Sequence, residues 1–263
     1  MNRALIGNSA VGLVMVEGPG SMAFSLGERL TVAVEVSQGF DMIYRLSAAS
    51  PVNPHLLFLT ETRFVTLTLD PATVPAPTGA GAAAEYEPCE APWRDAALAA
   101  LGYSAGTAGI NSYVQYLMSK AWAVGVTPTS GYVVFVTKYN AAWMAYCRSS
   151  LKYLVLQYPW LATTVPDKFG GTNVSGWGST NIDRVFAHET GHIFGAPDEY
   201  RASSCSNTAP FGALGVVNGN CEVGTASPVA CLMAHNTENL CSFTPGHWGW
   251  VDANRDGVLD VSP

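Results

Sequence analysis

The sequence predicts an α/β (α+β) fold, with a twisted mixed β-sheet and helices in the first two thirds and irregular structure afterwards. Segments with the hydrophobic pattern of β-strands alternate along the chain with segments that have the periodicity of helices. Hydrophobic residues make up 48% of the 263-residue chain, which is enough for a sizeable core. The last third is rich in Gly, Asn, Ser and cysteine, a composition typical of loops held by disulfides.

The first predicted elements are a strand, a helix and a second strand. Residues 11–16 are apolar and predict a buried strand. Ser25 and Glu28 have the spacing of a capping box, so a helix of about twenty residues should begin there. Residues 56–69 alternate and predict one long strand or a hairpin. Residues 71–91, rich in Pro, Ala and Gly, are expected to form a surface excursion or, alternatively, a flexible linker between domains.

Further elements lead to the central motif of the chain. Apolar residues between Ile110 and Ala121 recur at helical spacing and predict a second long helix. Short strands are expected at residues 132–136 and 153–157, and a polar, glycine-rich loop at residues 170–180. We therefore expect three parts: a first subdomain with the sheet (1–195), a C-terminal subdomain (196–250) and a short tail (251–263).

Charge and hydropathy exclude some partners. Thirteen basic and twenty acidic residues give a net charge of −7, and no basic patch is visible, which argues against nucleic acid. No apolar run is long enough to span a bilayer. No secretory signal is evident, so a secreted protein would require a signal peptide that is not part of this sequence. We expect a monomer.

Six cysteines without a CxxC pair indicate three disulfides in an extracellular setting. The pairing expected from the sequence is listed here: Cys205–Cys221, Cys231–Cys241 and Cys89–Cys147. Six reduced thiols in a cytosolic protein are the alternative.

The most informative motif is HExxHxxGxxD, which begins at His188. Residues four apart share one face of a helix, so His188 and His192 can both point at one metal ion. Glu189 can then lie beside the open coordination position and accept a proton from bound water. A glycine and a proline follow the helix, and the turn they allow can bring Asp198 back to the same metal. Glu199 is the competing carboxylate.

This extended motif resembles that of the metzincins, zinc endopeptidases with a downstream methionine turn. The resemblance implies that His188, His192 and Asp198 bind Zn²⁺ and that Glu189 is the general base. Met233, in Cys-Leu-Met-Ala-His, would form the floor beneath the metal.

The same resemblance implies a peptide or protein substrate. An extended peptide would pair with residues 153–157 as an edge strand. Residues 243–245 would form a wall of the pocket for the residue that follows the scissile bond. His235 occupies the position of a tyrosine that stabilises the oxyanion in some metzincins, and it is either a second catalytic residue or a surface histidine. A catalytically silent binding module with the same fold is the alternative function.

A second metal motif lies at the C-terminus. The spacing of its potential oxygen ligands for Ca²⁺ matches the first nine positions of an EF-hand loop. The twelfth position, which is a glutamate in an EF-hand, is Pro263 here. The candidate calcium ligands are Asp252, Asn254, Asp256, Val258 and Asp260. The alternatives are an Asp-rich turn without metal and, less favoured because only one loop is present, a dockerin-like interaction module.

Overall fold

A computed structural model describes residues 4–78, 82–162 and 181–261 of the chain. Its main sheet has five strands in the order β2-β1-β3-β5-β4, in which β4 is antiparallel to β5 and the other neighbours are parallel. The mixed sheet confirms the α/β class. The predicted glycine-rich loop at residues 170–180 lies outside the described residues. The strands of this sheet are β1 (Asn8–Glu17), β2 (Leu57–Thr66), β3 (Pro128–Thr137), β4 (Ala145–Arg148) and β5 (Tyr153–Gln157).

Long helices precede the HExxH helix, and only short elements follow it among the described residues. The α-helices are α1 (Leu26–Leu46), α2 (Ala82–Ala100), α3 (Gly106–Ala123), α4 (Tyr158–Leu161), α5 (Ile182–Ile193), α6 (Leu232–His235) and α7 (Thr244–His247). Two further strands, β6 (Pro210–Phe211) and β7 (Val216–Val217), pair in a small antiparallel sheet. Among the described residues, no helix combines the length and apolar character that a membrane span requires.

The predicted capping box is present at the start of α1. The Ser25 hydroxyl accepts from the Glu28 amide at 3.2 Å, and the Glu28 carboxylate accepts from the Ser25 amide at 2.7 Å. Both ends of the motif therefore satisfy amide groups that the helix leaves unpaired. The predicted strand at residues 11–16 and the second long helix are also confirmed, as β1 and α3.

The prediction for residues 71–91 was wrong in its second half, because α2 begins at Ala82. Pro88 and Pro92 lie inside this helix, and two prolines ordinarily argue against one. Burial compensates, since the Trp93 side chain is fully buried against Phe135. Its indole Nε1 also donates to the Asn140 carbonyl oxygen at 2.9 Å. The chain thus has a third long helix where two were expected.

The strand at residues 153–157 was predicted correctly, but its place in the sheet was not. β5 lies between β3 and β4, and β4 forms the edge. β4 has only four residues, too few for an alternation pattern to be recognised in the sequence. The segment predicted at residues 56–69 contains one strand and no hairpin: β2 (Leu57–Thr66), which is the opposite edge.

Two apolar cores lie on the two faces of the sheet. One is built from α1, α5 and C-terminal residues, and the other from α2 and α3. The C-terminal part is joined to the start of the chain, since Trp250 Nε1 donates to the Leu5 carbonyl oxygen at 2.6 Å. α5 packs against α1 on one side and reaches β4 and β5 on the other. The HExxH helix therefore lies beside the edge of the sheet.

Candidate metal centre

The two histidines of the motif lie on one face of α5. The rings of His188 and His192 have centroids 4.8 Å apart, as expected for side chains one turn apart. His188 is buried and His192 is partly exposed. The helix therefore presents two imidazoles side by side at the wall of a cleft.

The turn after α5 returns the chain to these histidines. The helix ends at Ile193, and Gly195 adopts a φ of +89°, a conformation that favours glycine. The Asp198 Oδ1 then lies 3.0 Å from His188 Nε2 and 3.2 Å from His192 Nε2. One donor atom from each of the three residues lies within 4.8 Å of the others. The structure thus brings together the three predicted ligands.

Backbone carbonyls orient both imidazoles. The Leu232 carbonyl oxygen lies 2.8 Å from His188 Nδ1, and the Ala196 carbonyl oxygen lies 2.6 Å from His192 Nδ1. Because a carbonyl can only accept, each Nδ1 carries a hydrogen and each Nε2 faces Asp198. Metal-binding histidines ordinarily have such a partner on the nitrogen that does not ligate.

The charges of the cluster favour a cation. Burial alone would raise the pKa of Asp198, but the two neighbouring imidazoles hold that pKa well below its usual range. Burial lowers the pKa of His192, whereas Asp198 opposes it and raises the pKa to about 9. The Asp198 carboxylate therefore favours its ionised form and attracts a positive charge towards the two imidazoles. Two imidazoles and a carboxylate are a donor set suited to Zn²⁺.

Glu189 supplies a second observation that fits a metal. Its side chain is buried, and its Oε2 has no hydrogen-bond partner among the described residues. Burial raises the pKa of this carboxyl, while the two histidines oppose the shift. A buried carboxylate oxygen without a donor is costly, unless a group that binds in the cleft satisfies it. A water molecule held by a metal is such a group.

Glu199, the competing carboxylate, points into a different cluster. Its Oε2 accepts from Asn220 Nδ2 at 2.6 Å, and its Oε1 accepts from Cys241 Sγ at 3.0 Å and from Thr244 Oγ1 at 3.2 Å. Burial, with a contribution from Cys241, raises its pKa to about 7. Asp198, and not Glu199, lies with the histidines. With Cys231 and Cys241, Glu199 forms the second group of close potential ligands among the described residues.

Met233 packs beneath α5, the HExxH helix. It is fully buried, and its Sδ lies 2.8 Å from the point that a Cβ on Gly191 would occupy. The Met233 carbonyl oxygen also accepts from the Glu199 amide at 2.9 Å, which connects this turn to the segment that carries Asp198. The residue is placed as a floor for α5.

His235 lies at the cleft but has a protein partner. Its Nε2 is 3.1 Å from the Glu222 carboxylate. A role in stabilising an oxyanion would require the contact with Glu222 to open or the other ring nitrogen to donate, and it stays a prediction. His247 is fully buried, with Nε2 3.2 Å from the Val216 carbonyl oxygen, and is structural.

The cleft beside the three ligands has a volume of about 1110 Å³. One wall is the edge strand β4, and another is the segment from Gly195 to Ser203. Sequence reasoning missed most of the other lining residues, because their elements come from distant parts of the chain or are too short to recognise. They include Tyr86, Trp143, Cys147 and Tyr200. The side chain of Tyr200 is hydrogen bonded to Asp198, and its position two residues after the ligand was the one available signal.

One of the three predicted disulfides is formed, between Cys205 and Cys221. Cys231 and Cys241 are thiols that lie side by side, so this predicted disulfide is not formed; the Cys241 amide donates to Cys231 Sγ at 3.2 Å. Cys89 and Cys147 are separate thiols, so this predicted pair is not formed. Cys89 lies on α2, and Cys147 lies on β4 at the cleft.

The C-terminal acidic loop is folded around its own backbone amides. Asp252 Oδ1 and Oδ2 accept from the amides of Asp256 and Gly257, each at 3.1 Å. The Asp256 Oδ1 accepts from the Val258 amide at 2.9 Å, and Asp260 Oδ2 from the Ala253 amide at 3.0 Å. Asn254 Oδ1 also accepts from the Asp256 amide at 3.1 Å. The aspartates of this loop are not among the described groups whose ligand atoms converge within 4.8 Å. Pro263 lies outside the described residues.

Neither the comparison with protein-family models nor the comparison with curated proteins gave a match to this chain.

Proposed function

We propose that this chain is a zinc-dependent endopeptidase of metzincin type. The observation that carries the proposal is the convergence of His188, His192 and Asp198 beside Glu189 at an open cleft. Glu189 contributes a buried carboxylate oxygen that lacks a donor among the described residues. A structural zinc site would be closed, whereas this one faces a cleft large enough for a substrate.

The chain's own residues suit hydrolysis of a peptide bond. Zn²⁺, when bound, would lower the pKa of a water molecule and polarise a substrate carbonyl. Glu189 lies next to His188 in sequence and can accept the proton of that water. Because burial raises the pKa of its carboxyl, Glu189 can also hold the proton and pass it to the leaving amine.

The edge strand β4 gives the substrate a place to bind. β4 pairs with β5 on one side, and its other side has no partner strand among the described residues. Three of its residues line the cleft: Ala145, Tyr146 and Cys147. An extended peptide can add to such an edge through backbone hydrogen bonds, which would position its carbonyl groups. This supports a protein or peptide as substrate, bound along β4 and not along β5.

The proposal extends to the setting of the enzyme. The Cys205–Cys221 disulfide supports a secreted, extracellular protein. The calcium site in the loop that starts at Asp252 and the monomeric state also belong to this proposal. Calcium, if bound there, would have a stabilising function.

Cleavage and zinc content together test the proposed function. Zinc-loaded wild type should digest casein or a diverse peptide library, and a zinc chelator should stop the reaction. Glu189→Gln should keep zinc but lose at least about a hundredfold in rate, because the proton acceptor is gone. Glu238→Gln, in which the exposed residue pairs with Arg184, is the matched control and should stay active.

Two outcomes would count against the proposal. A purified, zinc-loaded wild type that cuts nothing would favour the catalytically silent binding module. Full activity in Glu189→Gln would remove the assigned base.

A further inference from the structure

A tryptophan with a large exposed surface lies in the same cleft, away from the metal ligands. Trp143 is 49% exposed and is part of the cleft lining. Leaving so large an apolar side chain exposed forfeits the stabilisation that burial would give. A single exposed apolar residue needs no explanation, but this one lies in a concave site where a substrate would cover it.

The backbone holds Trp143 at a fixed distance from the reacting groups. The Met144 carbonyl oxygen accepts from the Gln157 amide at 2.9 Å, so the pairing between β4 and β5 continues to the residue next to Trp143. At the other end of this stretch, Cys147 lies close enough to Glu189 and Asp198 for their charges to affect its thiol. Trp143 precedes Cys147 by four positions, and residues 142–144 form a bend before β4, so about 13 Å of extended chain is the upper limit of their separation. A peptide bound along β4 would cover that distance with at most about four residues.

Several other residues of the cleft lining are apolar or aromatic. Tyr86 and Tyr146 line the cleft with ring centroids 4.9 Å apart, and Phe211 and Met144 add further apolar surface. The Arg148 guanidinium lies over the Tyr86 ring and is paired with buried Glu90, so its charge is neutralised. Among the described lining residues there is no Lys or Arg.

The acidic groups of the described lining are confined to the metal centre. They are Glu189 and Asp198, and His235 at the same cleft is paired with Glu222. Away from the metal, the cleft therefore has no charged partner to offer a charged side chain. Burying such a side chain without a partner would be unfavourable.

We propose that Trp143 forms an aromatic subsite that selects a large apolar or aromatic side chain about four residues from the scissile bond. This inference rests on the proposed endopeptidase function. It names a feature of the substrate that the metal-binding motif does not determine. The subsite is built by the residues before β4 and by α2, two parts of the chain that do not contribute metal ligands.

A peptide series with a fixed central sequence tests the subsite. The residue four positions before, or four positions after, the cleaved bond is set to Phe, Leu, Ala, Lys or Asp. Wild type should prefer Phe and Leu at one of these two positions by about tenfold in kcat/KM. Trp143→Ala should remove that preference, so that the Phe, Leu and Ala peptides are cleaved with similar kcat/KM. Trp143→Phe should retain most of the preference.

Trp160→Ala is the matched control, because Trp160 is 51% exposed but does not belong to the cleft lining. This variant should keep the preference. A preference unchanged in Trp143→Ala, or a wild type that accepts Asp as well as Phe, would overturn the subsite while the endopeptidase function stands.

If wild type cuts no peptide, the proposed endopeptidase function is wrong. The subsite is then tested separately, by measuring peptide affinity. Labelled Phe and Asp peptides are then titrated against the zinc-loaded wild type and Trp143→Ala by fluorescence anisotropy. The subsite requires the Phe peptide to bind wild type about tenfold more tightly than it binds the variant. Equal affinities would refute it.

Discussion

Asp198 and Glu199 are consecutive residues whose carboxylates belong to two separate clusters. Asp198 Oδ1 lies 3.0 Å from His188 Nε2, whereas Glu199 Oε1 lies 3.0 Å from Cys241 Sγ. The Glu199 amide donates to the Met233 carbonyl oxygen, and the Glu199 carbonyl oxygen accepts from the Glu222 amide, which fixes the backbone at this residue. The backbone therefore determines which carboxylate reaches the histidines.

Substituting Asp198 and Glu199 one at a time should separate the effect on zinc binding from the effect on the free energy of unfolding. Asp198→Ala should weaken zinc binding by more than about a hundredfold, beyond the loss typical of outer-shell changes. Glu199→Gln should bind zinc within about tenfold of wild type but lower the free energy of unfolding by about 1–3 kcal/mol, because buried hydrogen bonds are lost. Competition with a chromogenic chelator and urea denaturation measure the two effects. Zinc retained in Asp198→Ala but lost in Glu199→Gln would reverse the assignment.

Gly39 lies where α1 packs against α5, the HExxH helix, and its lack of a Cβ allows the two helices to approach closely. A Cβ at this position would lie 2.5 Å from Phe186 Cδ1 and 2.8 Å from the Asp183 carbonyl oxygen. Gly39→Ala should therefore push the helices apart and lower the free energy of unfolding by about 1–3 kcal/mol. Gly27→Ala is the control in the same helix, since a Cβ there meets only Ser25 Oγ at 3.9 Å. It should stabilise by about 0.5–1 kcal/mol. Thermal and urea unfolding of both variants measure these changes. Equal changes in the free energy of unfolding for Gly39→Ala and Gly27→Ala would contradict close packing of α1 against α5 at Gly39.

Glu35 of α1 should make stability depend on pH. Its buried carboxylate accepts from the Asp183 amide at 3.3 Å, at the first turn of α5. Burial raises the pKa of Glu35, and Asp183 adds to the shift, whereas the amides and Arg184 oppose it. A raised folded-state pKa gives stability that is fully present below the ordinary glutamate range and is lost as pH rises through the folded pKa.

The free energy of unfolding of wild type relative to Glu35→Gln should therefore fall as pH rises from about 4 to 8. Gln38→Asn, an exposed change in the same helix that alters no titratable group, is the control and should show no such trend. A relative stability that is constant or rises with pH would show that the folded state prefers the ionised carboxylate.

Local patterns predicted the elements that local physics determines. The capping box at Ser25, the short apolar run of β5 and the break at Gly195 each depend on residues within a few positions. The spacing of His188 and His192 similarly requires only a helix. Placement of Asp198 beside them could be expected from the turn, although nothing local distinguished it from Glu199.

Contacts between distant segments explain what the sequence did not reveal. Pro88 and Pro92 argued against α2, and burial of Trp93 against the sheet outweighs them. The cleft wall depends on β4 occupying the sheet edge, which follows from the order of strands and not from any one of them. For this reason Trp143 and Tyr86 could not be recognised as cleft residues.

The C-terminal loop should respond to Ca²⁺ if its side-chain oxygens turn from backbone amides to a cation. Asp252 accepts from two amides of the loop, which shows that the chain already curves around this carboxylate. We predict that millimolar Ca²⁺ raises the Tm of wild type, because a ligand that binds only the folded state stabilises it. Asp252→Asn should abolish the rise, and Mg²⁺ should not reproduce it. An unchanged Tm would identify the loop as an Asp-rich turn without metal.

Cys231 and Cys241 are thiols in this structure, and we predict that an oxidising environment would join them in a disulfide. Their sulfur atoms lie 3.5 Å and 3.3 Å from the same Thr244 hydroxyl, and the Cys241 amide donates to Cys231 Sγ. The disulfide would close the short loop of residues 231–241, which carries Met233, and would constrain the position of Met233 beneath α5. Its loss in a Cys231→Ser, Cys241→Ser double variant should cost about 2–4 kcal/mol of unfolding free energy.

Alkylation under denaturing, non-reducing conditions, followed by mass spectrometry, identifies the cysteines that remain as thiols. Cys89 and Cys147 should react, whereas Cys231 and Cys241 should be found in one cross-linked peptide pair. Because a disulfide takes both thiols away from Glu199, the Cys241 hydrogen bond to its carboxylate would be lost, and Asn220 and Thr244 would be its remaining side-chain donors. Complete alkylation of Cys231 and Cys241 in protein folded under oxidising conditions would contradict the prediction and leave Cys205–Cys221 as the sole cross-link among the described cysteines.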